Sequence, residues 1–277
     1  MPAPALPDAV RWDMPRPVLA LLACAACASH ARPAALPLLE EMTWQEAERA
    51  LGPDTIVVVP IGAASKEHGP HLRLANDWIM ADYLRRRVAE RARVVVAPIV
   101  GFSYYPAFVE YPGSIHLRLD TARDLIVDVV RSLARYGPRR FYALNTGVST
   151  LRALAPAADA LAADGIVLRY TDLGRALAPI EKEVAEQAGG THADEIETSM
   201  MLYIAPETVD MARARKDYTT GASGALTRDP NGRGIYSPTG AWGDPTLATR
   251  AKGERITRAL IDAIVADIEA LRAAGVP

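Results

Sequence analysis

The densest group of side chains able to bind a metal ion lies in the segment 60–77. This segment follows the apolar run 55–59, whose β-branched residues favour a buried strand. It carries Glu67, His68 and Asp77 on a backbone broken by glycine and proline. Imidazole nitrogens and carboxylate oxygens are donors that divalent metal ions accept in proteins. The segment is therefore a candidate metal site. The alternative is a solvated polar loop in which Asp77 only caps the next helix.

A second group of ionisable side chains lies at 191–199, far away in the sequence. In a helix, His192 and Glu195 would share a face, whereas Glu197 would lie about 140° from His192. His192 and Glu197 can therefore face one centre only if the helix begins near Asp194. An acidic first helical turn explains Asp194 and Glu195 through the helix dipole, but it explains Glu197 poorly.

Two further loops carry polar residues of interest. Residues 101–120 form a long irregular segment rich in aromatic side chains, and long loops in compact domains are usually functional. His116 in this loop is either an added metal ligand or a loop histidine with a structural partner. Asn145 follows the predicted strand 140–144, where its side chain and the next backbone amides can orient a substrate.

The elements that must position these residues alternate along the chain. The pattern predicts strands at 55–59, 93–100, 140–144 and 166–171, and helices at 43–51, 78–92, 120–136, 151–163 and 255–273. Such alternation predicts right-handed βαβ units, and hence an α/β fold with three αβα layers and a mainly parallel sheet. Open sheets of this kind bind ligands beyond the carboxyl ends of their strands, which is where the polar loops lie.

The same segments resemble the creatininase (creatinine amidohydrolase) family. Residues 60–77 are similar to its signature Pro-(Val/Ile)-Gly-…-Glu-x-His-Gly-Pro-His-Leu-Pro-Leu-…-Asp, and residues 191–199 to its His-Ala-Gly-x-x-Glu-Thr-Ser segment. Residues 111–117 and 234–254 resemble two further segments, so the likeness runs in order from about residue 42 to residue 271. It implies a creatininase-like fold for a single catalytic domain, 32–277. It also implies a homo-oligomer, since family members characteristically assemble as hexamers.

Two positions depart from the family pattern. The family's glutamate stands two residues before His68, where this chain has Lys66, and a local bulge would let Glu67 take the ligand position. The family's Asn-Gly-His-Gly-Gly-Asn segment has a metal-binding histidine that aligns with Gly147. The usual binuclear site then cannot form unchanged: another residue substitutes, or the site holds one metal ion, or catalysis is lost. The candidates for substitution are His116, His71 and Glu67.

The function that the resemblance implies is that of a metal-dependent amidohydrolase. Its metal ligands would be Glu67, His68, Asp77 and Glu197, with His116 as a further candidate. They would hold one or two ions of Zn²⁺ or Mn²⁺, or of Fe²⁺. The ion would lower the pKa of its bound water from about 15.7 to about 7, and the resulting hydroxide would attack the carbonyl carbon of a small cyclic or linear amide.

Two other residues complete this expected reaction. His192 would deliver a proton to the departing nitrogen, because its ordinary pKa suits proton transfer near neutral pH. Asn145 would orient the substrate.

Two other functions remain open. One is a mononuclear hydrolase or deaminase of a heterocycle, in which His116 completes the metal shell. The other is a catalytically inactive small-molecule-binding protein of the same fold, for which Gly147 is the main argument. The retention of His68, Asp77, His192 and Glu197 argues against the inactive protein, because ionisable groups in partly buried positions are costly without a use.

Composition bears on the remaining classes of partner. Half of the 277 residues are hydrophobic, 23% are charged and the net charge is −2, which is ordinary for a globular domain with ample core. A net charge this close to zero gives no reason to expect nucleic acid or an anionic membrane as a partner. The expected partner is the small-molecule substrate.

The first 31 residues have the pattern of an export segment. A short basic region precedes the apolar run 18–28, which is too short to span a bilayer, and small residues follow it. Cleavage after Ala28 or Ala31 predicts a periplasmic or secreted protein without a stable membrane span. An uncleaved Ala-rich terminus would instead leave the protein in the cytoplasm. Both cysteines lie in this segment, and Cys24 is a poor candidate for lipid attachment.

Overall fold

The computed structural model describes residues 36–218 and 224–275. These ranges cover most of the predicted domain 32–277. The predicted export segment 1–31, with its cleavage sites and Cys24, lies outside the described residues and stays a prediction.

A sheet of four parallel strands lies at the centre of the described chain. In spatial order the strands are β2 (Val95–Val96), β1 (Ile56–Ile61), β3 (Arg140–Asn145) and β4 (Val167–Tyr170). Two short strands, β5 (Leu226–Thr227) and β6 (Ile235–Tyr236), form a separate parallel pair. The predicted parallel sheet is confirmed. The predicted strand 93–100 is shorter than expected, because Pro98 has no N–H to donate to the ladder.

Seven α-helices lie within the described ranges. They are α1 (Trp44–Ala50), α2 (Asn76–Arg91), α3 (Leu119–Ala134), α4 (Leu151–Ala162), α5 (Leu173–Val184), α6 (Glu195–Ile204) and α7 (Arg250–Ala273). The sequence did not predict α5, and it placed the start of α7 too late. Both errors have one cause: α5 contains Gly174 and Pro179 and α7 contains Gly253, and such residues oppose a helix in isolation.

None of the described helices combines the length and the apolar character that crossing a bilayer requires.

Side chains of β1 alternate between the two faces of the sheet. Ile56 and Val58 contribute to a core shared with α2, α5, α6 and α7, whereas Val57 and Val59 contribute to a core shared with α3 and α4. All four side chains are fully buried. Helices therefore cover both faces, which confirms the three-layer αβα prediction and explains why the strand is a continuous apolar run.

The order of the strands reverses at β1. From β1 the chain passes through α2 to β2 on one side, and then through α3 to β3 on the other side. β1 and β3 pair in register from Ile56 opposite Arg140 to Ile61 opposite Asn145, so their carboxyl ends lie side by side. The loops that follow these two strands therefore meet at the point where open α/β sheets bind ligands.

Candidate metal centre

His68 lies in the loop after β1, where one backbone carbonyl and two carboxylates surround its ring. Its Nδ1 lies 2.8 Å from the Lys66 carbonyl oxygen, and its Nε2 lies 2.8 Å from Asp77 Oδ1 and 3.4 Å from Glu197 Oε1. The carbonyl fixes a proton on Nδ1, which leaves Nε2 facing two carboxylates. A neutral imidazole cannot donate from both nitrogens, so a proton or a metal ion has to lie between Nε2 and these oxygens.

Asp77 lies in the first turn of α2, but its side chain does not cap that helix. The N-cap residue is Ala75, so the capping alternative for Asp77 is wrong. Asp77 is 1% exposed, and its Oδ2 lies 2.7 Å from the Lys66 ammonium. Burial by itself would raise the pKa of Asp77, but Lys66 and His68 hold it well below its usual range. Burial would likewise lower the pKa of His68, but the carboxylates of Asp77 and Glu197 together outweigh this effect and raise it.

Glu197 reaches the same centre because α6 begins after His192. Asp194 is the N-cap and accepts a hydrogen bond of 2.9 Å from the Glu197 N–H. The helix therefore begins near Asp194, as it must for His192 and Glu197 to face one centre. Between His192 and Asp194, Ala193 has a φ of 47°, a left-handed conformation that turns the chain sharply. Its N–H donates to Glu197 Oε2 at 2.7 Å, and the Asn76 amide donates to Oε1 at 2.9 Å.

These segments bring three metal-binding groups together. His68, His192 and Glu197 each offer one ligand atom, and the three atoms lie within 4.8 Å of one another. Donors in a tetrahedral site with bonds of about 2.1 Å lie about 3.4 Å apart, so a small contraction would suffice. Asp77 lies against the same His68 nitrogen with Oδ1, and its buried Oδ2 lies against the Lys66 ammonium. Nitrogen and oxygen donors of this kind fit a divalent ion.

Glu67, which the sequence analysis proposed as a ligand, lies beside these three groups and not among them. Its Oε2 lies 3.0 Å from His192 Nε2, and its other oxygen accepts a hydrogen bond from the Gly69 N–H. A carboxylate on an imidazole nitrogen fixes the orientation of the ring. Burial would raise the pKa of Glu67, but His192 more than offsets this and the pKa is lowered. The structure thus joins Glu67 to His192 as a pair.

The two remaining predicted site residues have other partners. The Asn145 amide donates to the carbonyls of Gly147 at 2.8 Å and Thr171 at 3.2 Å, and its oxygen accepts from the Gly147 N–H at 3.1 Å. Asn145 therefore stabilises the loop after β3 through these contacts, and its role toward a substrate stays a prediction. His116 accepts from the Tyr105 N–H at 3.0 Å and is not part of the metal-binding group. The structure gives it the role of a loop histidine.

His71, a third candidate substitute, is also engaged elsewhere. Its Nε2 lies 2.8 Å from the hydroxyl of Thr198 in α6. Burial lowers the pKa of His71 to about 4, so its ring is neutral at physiological pH. The bond connects the loop after β1 to the helix that carries Glu197.

A cavity of about 550 Å³ opens beside the group. Lys66, Phe108, Gly147, Arg152, His192, Glu197 and Trp242 are among its lining residues. The sequence motifs assign no function to Lys66 or Arg152. The only signal for Lys66 was its place at a family glutamate position, and Arg152 has no signal beyond following the loop after β3. The volume is typical of small-molecule sites.

Known proteins share this fold and these segments. The family model for creatininase, described as creatinine amidohydrolase, matches residues 40–268. A creatinine amidohydrolase of Pseudomonas putida is 30% identical over 192 residues, which cover 62% of this chain and 74% of that protein. A mycofactocin precursor peptide peptidase of Mycobacterium ulcerans (strain Agy99) is 27% identical over 243 residues, which cover 84% and 92% of the two chains.

Similarity of structure agrees with similarity of sequence. A solved structure named "Creatininase Mn" superposes with a TM-score of 0.73 at 22% identity, covering 87% of this chain and all of that one. This likeness confirms the predicted fold, and the family match extends over most of the described residues. The chain therefore belongs to the creatininase family of amidohydrolases, as its sequence motifs predicted.

Proposed function

We propose that the protein is a metal-dependent hydrolase that cleaves a C–N amide bond in a small cyclic or linear amide. The observation that carries the proposal is the convergence of His68, His192 and Glu197 beside a cavity of about 550 Å³. Membership of an amidohydrolase family supports the same reaction class. The inactive binding protein would not need buried ionisable groups aimed at one point.

The donor set suits Zn²⁺ or Mn²⁺, and a structural neighbour is a manganese creatininase. A divalent ion held there polarises a carbonyl and lowers the pKa of water from about 15.7 to about 7. The chain's own residues supply the rest. The Lys66 carbonyl orients the His68 ring, Asp77 lies against its Nε2, and the helix N-terminus at Asp194 places Glu197.

Proton transfer falls to the pair of His192 and Glu67, because the two ring nitrogens of His192 face different groups. Its Nδ1 lies on the side of Glu197, where an ion would be held, and its Nε2 lies against Glu67. The 3.0 Å contact between them holds one proton at the edge of the cavity, within reach of the nitrogen that leaves when the amide bond breaks. Phe108 lies against the His192 ring, with ring centroids 4.3 Å apart, and shields this side of the pair from water. We infer that the pair donates the proton after the carbonyl has been attacked.

A short peptide is a second candidate substrate. The observation in its favour is the peptidase relative, to which the chain is similar along 92% of that protein's length. The same residues would serve a peptide C–N bond, so the two candidates differ in substrate and not in mechanism.

Metal analysis and hydrolysis of a substrate panel test the proposal together. Purified protein should contain a transition metal and hydrolyse at least one member of a panel of creatinine, other cyclic amides, linear amides and short peptides. We expect His68→Ala to lose the metal and to lower kcat/KM by at least about 100-fold. His116→Ala is the matched control and should retain both metal and activity. A wild-type protein that neither binds metal nor gains thermal stability from it would refute the proposal.

A further inference from the structure

Lys66 is a buried lysine whose ammonium lies at the centre of the site. The residue is 4% exposed, and its Nζ lies 2.7 Å from Asp77 Oδ2. The same nitrogen lies 4.9 Å from the centroid of the Phe108 ring and 5.4 Å from that of Tyr105. A lysine is almost never buried unless it is paired, and burying its charge is costly. Asp77 is the carboxylate that compensates this charge.

The two oxygens of Asp77 face two different groups. Oδ1 faces His68 Nε2, on the side where His192 and Glu197 supply further donors. Oδ2 faces the Lys66 ammonium. A carboxylate with one cation on each oxygen is the arrangement that bridges a pair of metal ions about 3.5–4 Å apart. Within the described part of the chain, the metal-binding groups of Asp77's surroundings converge on the Oδ1 side.

Among residues 36–218 and 224–275, the side chains found around the Lys66 ammonium are two aromatic rings and the Asp77 carboxylate. The rings of Tyr105 and Phe108 offer no anionic donor, and Gly147, which lines the same cavity, has no side chain. The loop that carries Gly147 lies against Asp77, since the Thr146 hydroxyl donates to the Asp77 carbonyl at 3.2 Å. A Cβ at Gly147 would lie 2.8 Å from the Thr150 hydroxyl, so the hydroxyl fills part of the space that a side chain would need.

We propose that the Lys66 ammonium takes the place of a second metal ion, so that the centre holds one divalent ion and one fixed organic cation on opposite oxygens of Asp77. The two departures from the family pattern, Lys66 and Gly147, then both affect the position of the second metal ion. Lys66 replaces a carboxylate by a positive charge, and Gly147 removes an imidazole. This inference rests on the proposed metal-dependent function and specifies its centre as mononuclear. Because Lys66 also lines the cavity, its charge is available to stabilise negative charge that develops on a substrate oxygen.

Metal stoichiometry tests this proposal without relying on activity. Protein stripped with a chelator is titrated with Mn²⁺ by calorimetry, and bound metal is counted by elemental analysis. We expect one equivalent per chain, with an electron paramagnetic resonance spectrum of isolated Mn²⁺ and no exchange-coupled pair. These measurements need only the wild-type protein.

Variants then test the part that Lys66 plays. Lys66→Glu and the double variant Lys66→Glu/Gly147→His should bind a second equivalent and give the coupled spectrum. Lys66→Met is the matched control, since it keeps a long side chain but adds no donor, and it should bind one equivalent. Circular dichroism and thermal melting confirm that each variant is folded.

Three results would overturn the proposal. Two equivalents in the wild-type protein would refute the mononuclear centre and leave the proposed hydrolase standing. One equivalent in the wild-type protein and in both Glu variants would show that Lys66 does not occupy a metal position. No binding to any of the proteins would refute the proposed function as well.

Discussion

Asp77 is the residue on which the charges of the centre depend. Its oxygens face His68 and Lys66, and all three side chains are almost wholly buried. Removing one partner of a buried ion pair leaves the other charge uncompensated, which costs about 3–5 kcal/mol. Both metal binding and the stability of the loop after β1 therefore depend on the Asp77 carboxylate.

We expect Asp77→Asn to lower the free energy of unfolding by about 3 kcal/mol and to weaken metal binding by more than about 100-fold. Urea denaturation followed by circular dichroism measures the first effect, and metal titration the second. Asp82→Asn on the same helix is the control. Asp82 is part-exposed and paired with Arg85 and Arg86, so its loss should cost less than about 1 kcal/mol. Equal losses in the two variants would contradict a special role for Asp77.

Asp194 should make stability fall as the pH rises. Burial raises the pKa of this N-cap carboxyl from 3.8 to about 7. The folded chain therefore binds this proton more tightly than the unfolded chain does. The resulting stabilisation is fully present below pH 3.8 and is lost as the pH rises through 7.

Asp194→Asn keeps a capping side chain and removes this titration. Unfolding should be followed by urea denaturation in the presence of a chelator at pH 4, 6 and 8. We expect the free energy of unfolding of the variant, relative to that of the wild type, to increase by on the order of 2–4 kcal/mol between pH 4 and pH 8. A difference between the two proteins that does not change with pH would disprove the assignment.

At the level of elements, the sequence predicts the strands of the sheet and the positions of the loops. It does not predict which side chains contact one another within those loops. The continuous apolar run of β1 and the capping box at Thr43 predict the structure directly. The left-handed turn at Ala193 has no local signal, because alanine rarely adopts this conformation. Glu67 and Lys66 adjoin each other, and only the folded loop decides that Lys66 meets Asp77 while Glu67 meets His192. The sequence therefore predicted which segments meet, whereas the partner of each side chain within them depends on the folded loop.

The loop before α7 fixes the loop after β1 through a close contact. Gly240 has a φ of 85°, and a Cβ added there would collide with the Glu67 carboxylate. Gly240→Ala should therefore be destabilising by about 1–3 kcal/mol, and it should displace Glu67 from His192 and lower kcat about 10–100-fold. Chemical denaturation and steady-state kinetics measure these effects.

Gly165→Ala is the control for backbone strain. Gly165 also has a positive φ, of 67°, but a Cβ there would meet no atom within 4 Å. We expect a loss of stability of about 1 kcal/mol and no change in kcat. If Gly240→Ala also leaves kcat unchanged, the close contact between Gly240 and Glu67 does not contribute to catalysis.

For the whole molecule, exposed apolar side chains support the expected homo-oligomer. Leu74, Trp78, Phe102 and Ile115 are each 39–47% exposed. They lie on the loop after β1, the start of α2 and the aromatic loop, which contact one another: the Ile115 N–H donates to the Ser65 carbonyl at 2.9 Å. Clustered apolar surface of this kind marks interaction sites. We propose that this surface joins copies of the chain.

Light scattering after size exclusion checks the proposed assembly. The wild-type protein should elute as an oligomer, up to the hexamer that the family resemblance implies, and Trp78→Glu should lower its mass. Trp44→Glu, on α1, changes a side chain that is 72% exposed and should leave the mass unchanged. A monomeric wild-type protein would refute the assembly, and an unchanged mass for Trp78→Glu would exclude this surface.

The ion pair between Lys66 and Asp77 has a consequence for how the enzyme tolerates metal scarcity. Chelators can extract a divalent ion, but they cannot extract an ammonium that is part of the polypeptide. Stripped enzyme thus retains a neutralised Asp77 and an assembled loop after β1. For the proposed mononuclear centre, reloading needs the capture of a single ion by groups already in position, and activity should return as a simple saturable function of metal concentration.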